Sequence, residues 1–265
     1  MTSSKYDAYQ AWSKTPLDSV PEISVVIPAY NEALRILPTV GAIAAHMSSL
    51  NVPWELIVAD DGSKDNTVSI LQDLNLVNLR VLVAEANGGK GNAVRRGVEA
   101  SRGSVILFAD ADQSTPIEQF EMLMGKIQRD GFDIAVGSRA DLSSAEMKKS
   151  FFRSAATKGL RVLVRFGFGI RIRDTQCGFK LFRADVAREL FSQQRIRGFS
   201  FDLELLYLAA KKGYKTVEVP VEWIDAPGST LDVGKVSAAF LVDLCKIRIN
   251  HFRGLYAATS EGQPS

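Results

Sequence analysis

The chain reads as an α/β protein built on a mostly parallel central sheet flanked by helices, and three observations carry that reading. Short β-branched runs alternate with helical patterns through residues 23–137, which calls for right-handed crossovers between parallel strands. Several runs are apolar almost throughout, as strands covered on both faces must be. Glycine, asparagine and aspartate cluster just past their ends, where an open α/β sheet presents its ligand crevice.

Strands are predicted over 23–27, 55–59, 79–84, 105–109 and 133–137. Between the first two, Ile36, Val40, Ile43, Met47 and Leu50 recur at helical spacing, so one face of that helix packs on the sheet. Pro38 falls in its first turn, where a missing N–H costs nothing. A second helix is expected over 65–74, with Ser63 or Asp65 as its cap, and a third over 90–101. Residues 1–21 are polar, lack an apolar signal core and are expected to form a flexible arm. The main domain is expected over 22–235, a helix over 236–256 and a flexible tail over 257–265.

The second half has a different texture. On a helical wheel, Phe152, Ala155, Ala156, Leu160, Val162, Leu163 and Phe166 share one side. Lys158, Arg161 and Arg165 lie opposite, with Arg153 at the border and Val164 the exception. A helix of this pattern over 151–169 either lies in a membrane interface or packs on the core with a solvated basic face. The amphipathic stretch 236–250, with Lys246, Arg248 and Arg253 at its end, fits the same alternatives.

Composition narrows the class. A chain of 265 residues buries a sizeable core and is most simply one domain with elaborations. Hydrophobic content of 46% and charged content of 23% are ordinary for a globular protein. A net charge of +2 argues against a dedicated nucleic-acid binder. Cys177 and Cys245 are too few for a disulfide framework or a zinc cluster, and read as reduced thiols of a cytosolic protein. With only His46 and His251, a histidine-based metal site or triad is not expected. No run approaches the roughly 20 apolar residues that span a bilayer.

Four turns fall just past predicted strand ends. IPAYNE at 27–32 places Tyr30 and Glu32 beyond a strand that Pro28 is expected to stop. ADDGSKDNT at 59–67 offers Asp60 and Asp61 to a base N–H or a ribose hydroxyl, with Gly62 allowing the turn. NGGKGNA at 87–93 sets Lys90 at a helix start, where free N–H groups and the helix dipole suit phosphate. FADADQSTP at 108–116 carries Asp110 and Asp112 around Ala111. Those carboxylates are hard ligands suited to a divalent cation shared with phosphates. Each turn alone is weak, because Asp-Gly and Gly-Gly pairs are common plain turns. Together on one sheet edge they point to a nucleotide with a diphosphate and a metal ion. The glycine cluster lacks the spacing of a dinucleotide fingerprint or a phosphate-binding loop.

The set IPAYNE, ADDGS, GGKGNA, DAD and VGSR, in that order within 23–235, resembles the inverting glycosyltransferase family 2 and its GT-A (Rossmann-like) fold. RDTQCGFKLF at 173–182 and FDLELLY at 201–207 resemble dolichyl-phosphate β-glucosyltransferases. The related mannose synthases more often show a serine-glycine pair in the former and a non-acidic residue at the Asp202 position. The resemblance implies that Pro28, Tyr30, Glu32, Asp61, Asp60 and Gly62 hold the base and ribose. It places Lys90 near the diphosphate, and Asp110, Ala111 and Asp112 at the donor and its Mg²⁺ or Mn²⁺. In mannose synthases a glutamine two residues on can join the metal; Ser114 stands there, beside Gln113. Arg139 of VGSR and Arg153 match arginines that grip the acceptor phosphate, with Asp174 and Gln176 nearby. Lys235 matches a basic residue of the mobile acceptor loop, expected over 225–235.

The implied reaction moves glucose from UDP-glucose to a polyprenyl monophosphate with inversion. A phosphate, largely ionised near pH 7 because its second pKa is about 6, needs no strong general base. Asp202 stands where other members carry their base, and either orients arginines and acceptor or caps its helix. The expected partners are that donor, the lipid acceptor and a membrane surface on the cytosolic side, with a homo-oligomer compatible. Three alternatives stand beside it: a GDP-mannose-dependent mannose synthase, a family 2 transferase using a soluble hydroxyl acceptor, and an inactive nucleotide-sugar-binding scaffold.

Overall fold

The computed structural model describes residues 5–139, 167–224 and 233–256. Its elements run α1 (Lys5–Lys14), β1 (Ile23–Ala29), α2 (Ile36–Ser48), β2 (Trp54–Asp60), α3 (Thr67–Asp73) and β3 (Leu79–Val83). They continue with α4 (Lys90–Ala100), β4 (Val105–Ala109), α5 (Phe120–Gln128) and β5 (Ile134–Ser138). The second half adds β6 (Phe179–Arg183), α6 (Ala184–Ser192), α7 (Phe201–Lys212), β7 (Thr216–Pro220) and α8 (Val233–Phe252).

One seven-stranded sheet has the order β3-β2-β1-β4-β6-β5-β7. All neighbours are parallel except β6, which runs antiparallel between β4 and β5. The two-residue period sorts the strands' side chains to opposite faces. Ile23, Val25, Ile27, Leu56 and Leu107 pack under α2, α3 and α5. Val26, Ile57, Ile106 and Phe108 join α4, α6, α7 and α8 on the other face. β1, β2 and β4 are buried at every position, as their apolar sequences require.

Two expectations are corrected. The segment 1–21 is not wholly a flexible arm, because α1 docks through Trp12. That ring is 6% exposed, stacks on Trp54 at 4.2 Å and donates from Nε1 to the Trp54 carbonyl. One large aromatic compensates for an otherwise polar helix. Nor does Pro28 end its strand: it lies inside β1, opposite Ala59. The β1–β4 ladder has already stopped at Val26, so a strand position without an N–H is tolerated there.

Three predicted features lie wholly or mostly outside the described residues: the helix 151–169, the loop 225–235, whose last three residues instead open α8, and the tail 257–265. The C-terminal helix is present as α8, but its apolar residues face two ways. Phe240, Leu244 and Ile247 are buried, whereas Leu241, Val242, Ile249 and Phe252 are exposed. Among the described residues no helix is long and apolar enough to cross a membrane.

Candidate active site

The carboxyl ends of β1, β2 and β4 and the start of α4 enclose a cleft of about 490 Å³. Pro28, Tyr30, Glu32, Asp61, Lys90, Asp110, Ala111 and Asp112 all line it, as the motifs imply. Arg35 and Phe199 line it too, and sequence reasoning missed both. Arg35 lies one helical step beyond Glu32 and pairs with it at 2.7 Å. Phe199 comes from the connection between α6 and α7, more than a hundred residues along the chain from its neighbour Lys90. Burial raises the Glu32 carboxyl above its ordinary value, with Arg35 opposing the shift.

The acidic turn after β2 splits its two aspartates between tasks. Asp60 is fully buried, and its Oδ2 accepts from the Gly62 and Ser63 N–H groups, both at 3.0 Å. It shapes the turn and does not line the cleft. Gly62 supports the same turn at φ +76° and is likewise absent from the lining. Asp61 faces the cleft and accepts from Gly88 at 2.9 Å and Gly89 at 2.8 Å. Those bonds draw the glycine loop against β2 and set the entry to α4. Gly89 begins that helix at φ +95°, and any side chain there would strike the Arg197 carbonyl.

Lys90 opens α4 with its ammonium 2.7 Å from Asp110 Oδ1. Burial would lower its pKa, but Asp110, Asp202 and Asp112 together hold it above the ordinary lysine value. It is a fixed cation beside free helix N–H groups, which is the equipment of an anion site. Asp110 is seated from the other side by β6: its N–H donates to the Gly178 carbonyl at 2.9 Å. A Cβ at Gly178 would overlap the Asp110 carboxylate, so only glycine leaves room for it.

These residues suit a divalent cation in one specific way. Two carboxylates one residue apart supply hard oxygens, yet no group of three or more histidine, cysteine or acidic side chains gathers among the described residues. Gln113 turns away at φ +53° and donates to Thr39, and Ser114 gives its N–H to Asp112. The set fits a cation that completes its shell with donor phosphates and water, as Mg²⁺ commonly does.

Beneath this cleft lies a buried ion pair. Asp202, in the first turn of α7, meets Lys180 of β6 at 2.8 Å, and both are almost wholly buried. Burial raises the Asp202 pKa against the pull of Lys180 and Lys90. Lys180 also donates to the Cys177 carbonyl at 2.5 Å, and burial pushes the Cys177 thiol up to about 11.

A second network, outside the cleft lining, joins partners distant in sequence. Arg139, just past β5, is gripped by Asp174 through Nε at 2.7 Å and Nη2 at 2.8 Å. Trp223 stacks on the guanidinium at 4.5 Å, and 38% of the arginine side chain stays exposed. Behind it, Glu218 accepts from Ser138, Arg173 and the Asp174 N–H. The Ile224 N–H donates to the Ser114 carbonyl at 2.8 Å, tying this network to the acidic loop. Gln176 is exposed on the turn before β6. Arg153 and the Lys235 side chain lie outside the described residues.

An open α/β sheet that gathers paired carboxylates and a lysine at the carboxyl ends of its strands has the crevice in which such folds bind ligands. The glycosyl transferase family 2 profile matches residues 24–191, and the chain belongs to that family. It is 36% identical over 262 residues to a dolichyl-phosphate beta-glucosyltransferase of Dictyostelium discoideum, covering 94% of this chain and 80% of the relative. A Drosophila melanogaster protein of the same name is 40% identical over 228 residues, covering 79% and 69%. The fold matches the crystal structure of glucosyl-3-phosphoglycerate synthase from Mycobacterium tuberculosis in complex with Mn²⁺, UDP-glucose and glycerol 3-phosphate. That likeness has a TM-score of 0.65 at 20% identity and covers 93% of this chain and 85% of the other. The chain is thus a glycosyltransferase of GT-A-like fold.

Proposed function

We propose that the protein transfers glucose from UDP-glucose to a polyprenyl (dolichyl-type) monophosphate, with inversion at the anomeric carbon. The relatives named for that reaction support the glucose and lipid-phosphate assignment over GDP-mannose. One observation carries the choice of acceptor. Asp202, the expected general base for a hydroxyl acceptor, is 3% exposed and locked to Lys180, while Arg139 keeps an accessible, pre-oriented guanidinium. A site built to steer an anion and not to remove a proton suits a phosphate nucleophile.

In this reading Asp61 and Tyr30 meet the nucleoside, and the start of α4 with Lys90 donates to the diphosphate. Asp110 and Asp112 would hold Mg²⁺ or Mn²⁺, which when bound neutralises charge on the departing diphosphate. Arg139, held planar by Asp174 and Trp223, orients the acceptor phosphate behind the sugar with Arg153. Lys235 and the loop before it close over the donor, and Gln176 borders the acceptor.

The acceptor's chain is lipid, so the reaction belongs at a membrane surface. The exposed Leu241, Val242, Ile249 and Phe252 of α8, with Arg248 and Arg253 beside them, support peripheral attachment there. The free Cys177 and Cys245 fit its cytosolic face.

The test is to supply labelled UDP-glucose or GDP-mannose with Mn²⁺ and vesicles containing polyprenyl phosphate. The expected result is glucose label extracted into the organic phase and none from GDP-mannose. Label found only on a water-soluble hydroxyl acceptor, abolished by Asp202→Asn, would establish the alternative transferase instead.

A further inference from the structure

The connection between α6 and α7, residues 193–200, lies across the start of α4 and forms one wall of the donor cleft. Its Arg197 carbonyl accepts from the Asn92 N–H at 3.2 Å, and the Phe199 ring stands 5.8 Å from Lys90 Nζ. Within the strap Gln194 donates to the Ile196 carbonyl at 2.7 Å, and one side chain fastens its middle to α7. Glu204 of α7 has 0% exposure, and its Oε2 accepts from the N–H groups of Arg195 at 2.9 Å and Ile196 at 2.7 Å.

Its other oxygen leads away from the cleft. Oε1 accepts the Tyr256 hydroxyl at 2.5 Å, and that tyrosine closes the segment following α8. Asn250 of α8 donates to the same hydroxyl at 3.4 Å, and Arg195 Nη2 reaches the Leu255 carbonyl at 3.3 Å. A carboxylate buried among phenylalanines and leucines is costly unless its lone pairs are filled. The three donors that fill these come from two segments, the strap and the residues that follow α8.

We infer that Glu204 is a positioning residue for the donor site: it sets the strap against Lys90 and couples that wall to the end of α8 through Tyr256. Neither residue lines the cleft, so both act through Arg197, Phe199 and the first turn of α4. The inference rests on the cleft being the nucleotide site, and it requires nothing of the acceptor. Loosening the far end of the knot therefore weakens nucleotide binding while leaving acceptor recognition untouched.

UDP affinity in the presence of Mn²⁺, measured by titration calorimetry on the full chain, tests it. Tyr256→Phe keeps the ring and should bind UDP about 3-fold more weakly than wild type; Glu204→Ala should bind about 10-fold more weakly. Glu204→Gln retains an acceptor oxygen for the strap and should fall between wild type and Glu204→Ala. In steady state, the donor KM should rise in parallel while the acceptor KM holds. A purely structural role predicts lowered melting temperatures with unchanged UDP affinity, and that result overturns the inference. Should Glu204→Ala fail to fold, Tyr256→Phe decides alone: wild-type UDP affinity in that variant refutes the coupling. Wild-type protein that binds no UDP would remove the donor site itself, and the coupling with it.

Discussion

The cleft at the strand ends and the network around Arg139 are organised by different means. At the strand ends, carboxylates accept from backbone N–H groups: Asp60 from Gly62 and Ser63, Asp61 from Gly88 and Gly89. Around Arg139, side chains grip partners far away in sequence: Arg139 with Asp174, Arg173 and Ser138 with Glu218. In the first arrangement the Asp60 bonds close their own turn, and the Asp61 bonds join that turn to the glycine loop before α4. The second depends on ion pairs, which hold a planar arginine in place only while every partner is present.

That contrast can be broken or sharpened by substitution. Asp110→Asn or Asp112→Asn should lower transfer by about 10³-fold or more and abolish the metal dependence of UDP binding. Initial rates and UDP titrations with and without Mn²⁺ measure this; near wild-type turnover in both variants would remove the donor cleft from the chemistry. Arg139→Lys keeps the charge and loses the planar fork, so kcat/KM for the acceptor should fall about 10²-fold with donor binding unchanged. Arg153→Ala should move in the same direction, and a harmless Arg153→Ala contradicts the lipid-phosphate acceptor.

Gly178→Ala probes the contact between the turn before β6 and the acidic loop after β4. The added methyl displaces the Asp110 carboxylate, so Mn²⁺-dependent UDP affinity should fall about 10-fold in a normally folded protein. Unchanged affinity would mean that Asp110 tolerates a second position.

The smallest effect concerns pH. Burial would raise the Asp174 carboxyl, but the hydrogen bonds and charge of Arg139 hold it below its ordinary 3.8. A depressed carboxylate stabilises the fold above its unfolded value, and that stability is lost as pH falls through the depressed pKa. Denaturation midpoints should therefore fall more steeply below pH 3.8 in wild type than in Asp174→Asn. Parallel profiles would show that the pair adds no pH-dependent stability.

What the sequence made legible follows the same division. The five strands of the first half and helices α2, α3 and α4 were predictable because each is a local patterned run with a turn at its end, whereas α5 was not read from the sequence. Lys90, Asp110 and Asp112 announced themselves because their motifs lie beside those ends. β6 was hidden: an antiparallel strand inserted between β4 and β5 owes its place to tertiary packing, which leaves no periodic signature. Phe199 reaches the cleft, and Trp223 reaches Arg139, from connections whose course no local pattern predicts. Glu204 sits beside Asp202 in a helix buried on nearly every side, where a hydrophobic stripe cannot mark the face that matters. Trp12 shows the converse, since one aromatic outweighed the polar character of its whole segment.

The most direct measurement is the anomalous signal of manganese in crystals grown with UDP and Mn²⁺. The account predicts a single strong site at Asp110 and Asp112, with the diphosphate against the start of α4 and within reach of Lys90. A manganese site elsewhere, or UDP bound away from the ends of β1, β2 and β4, would contradict it.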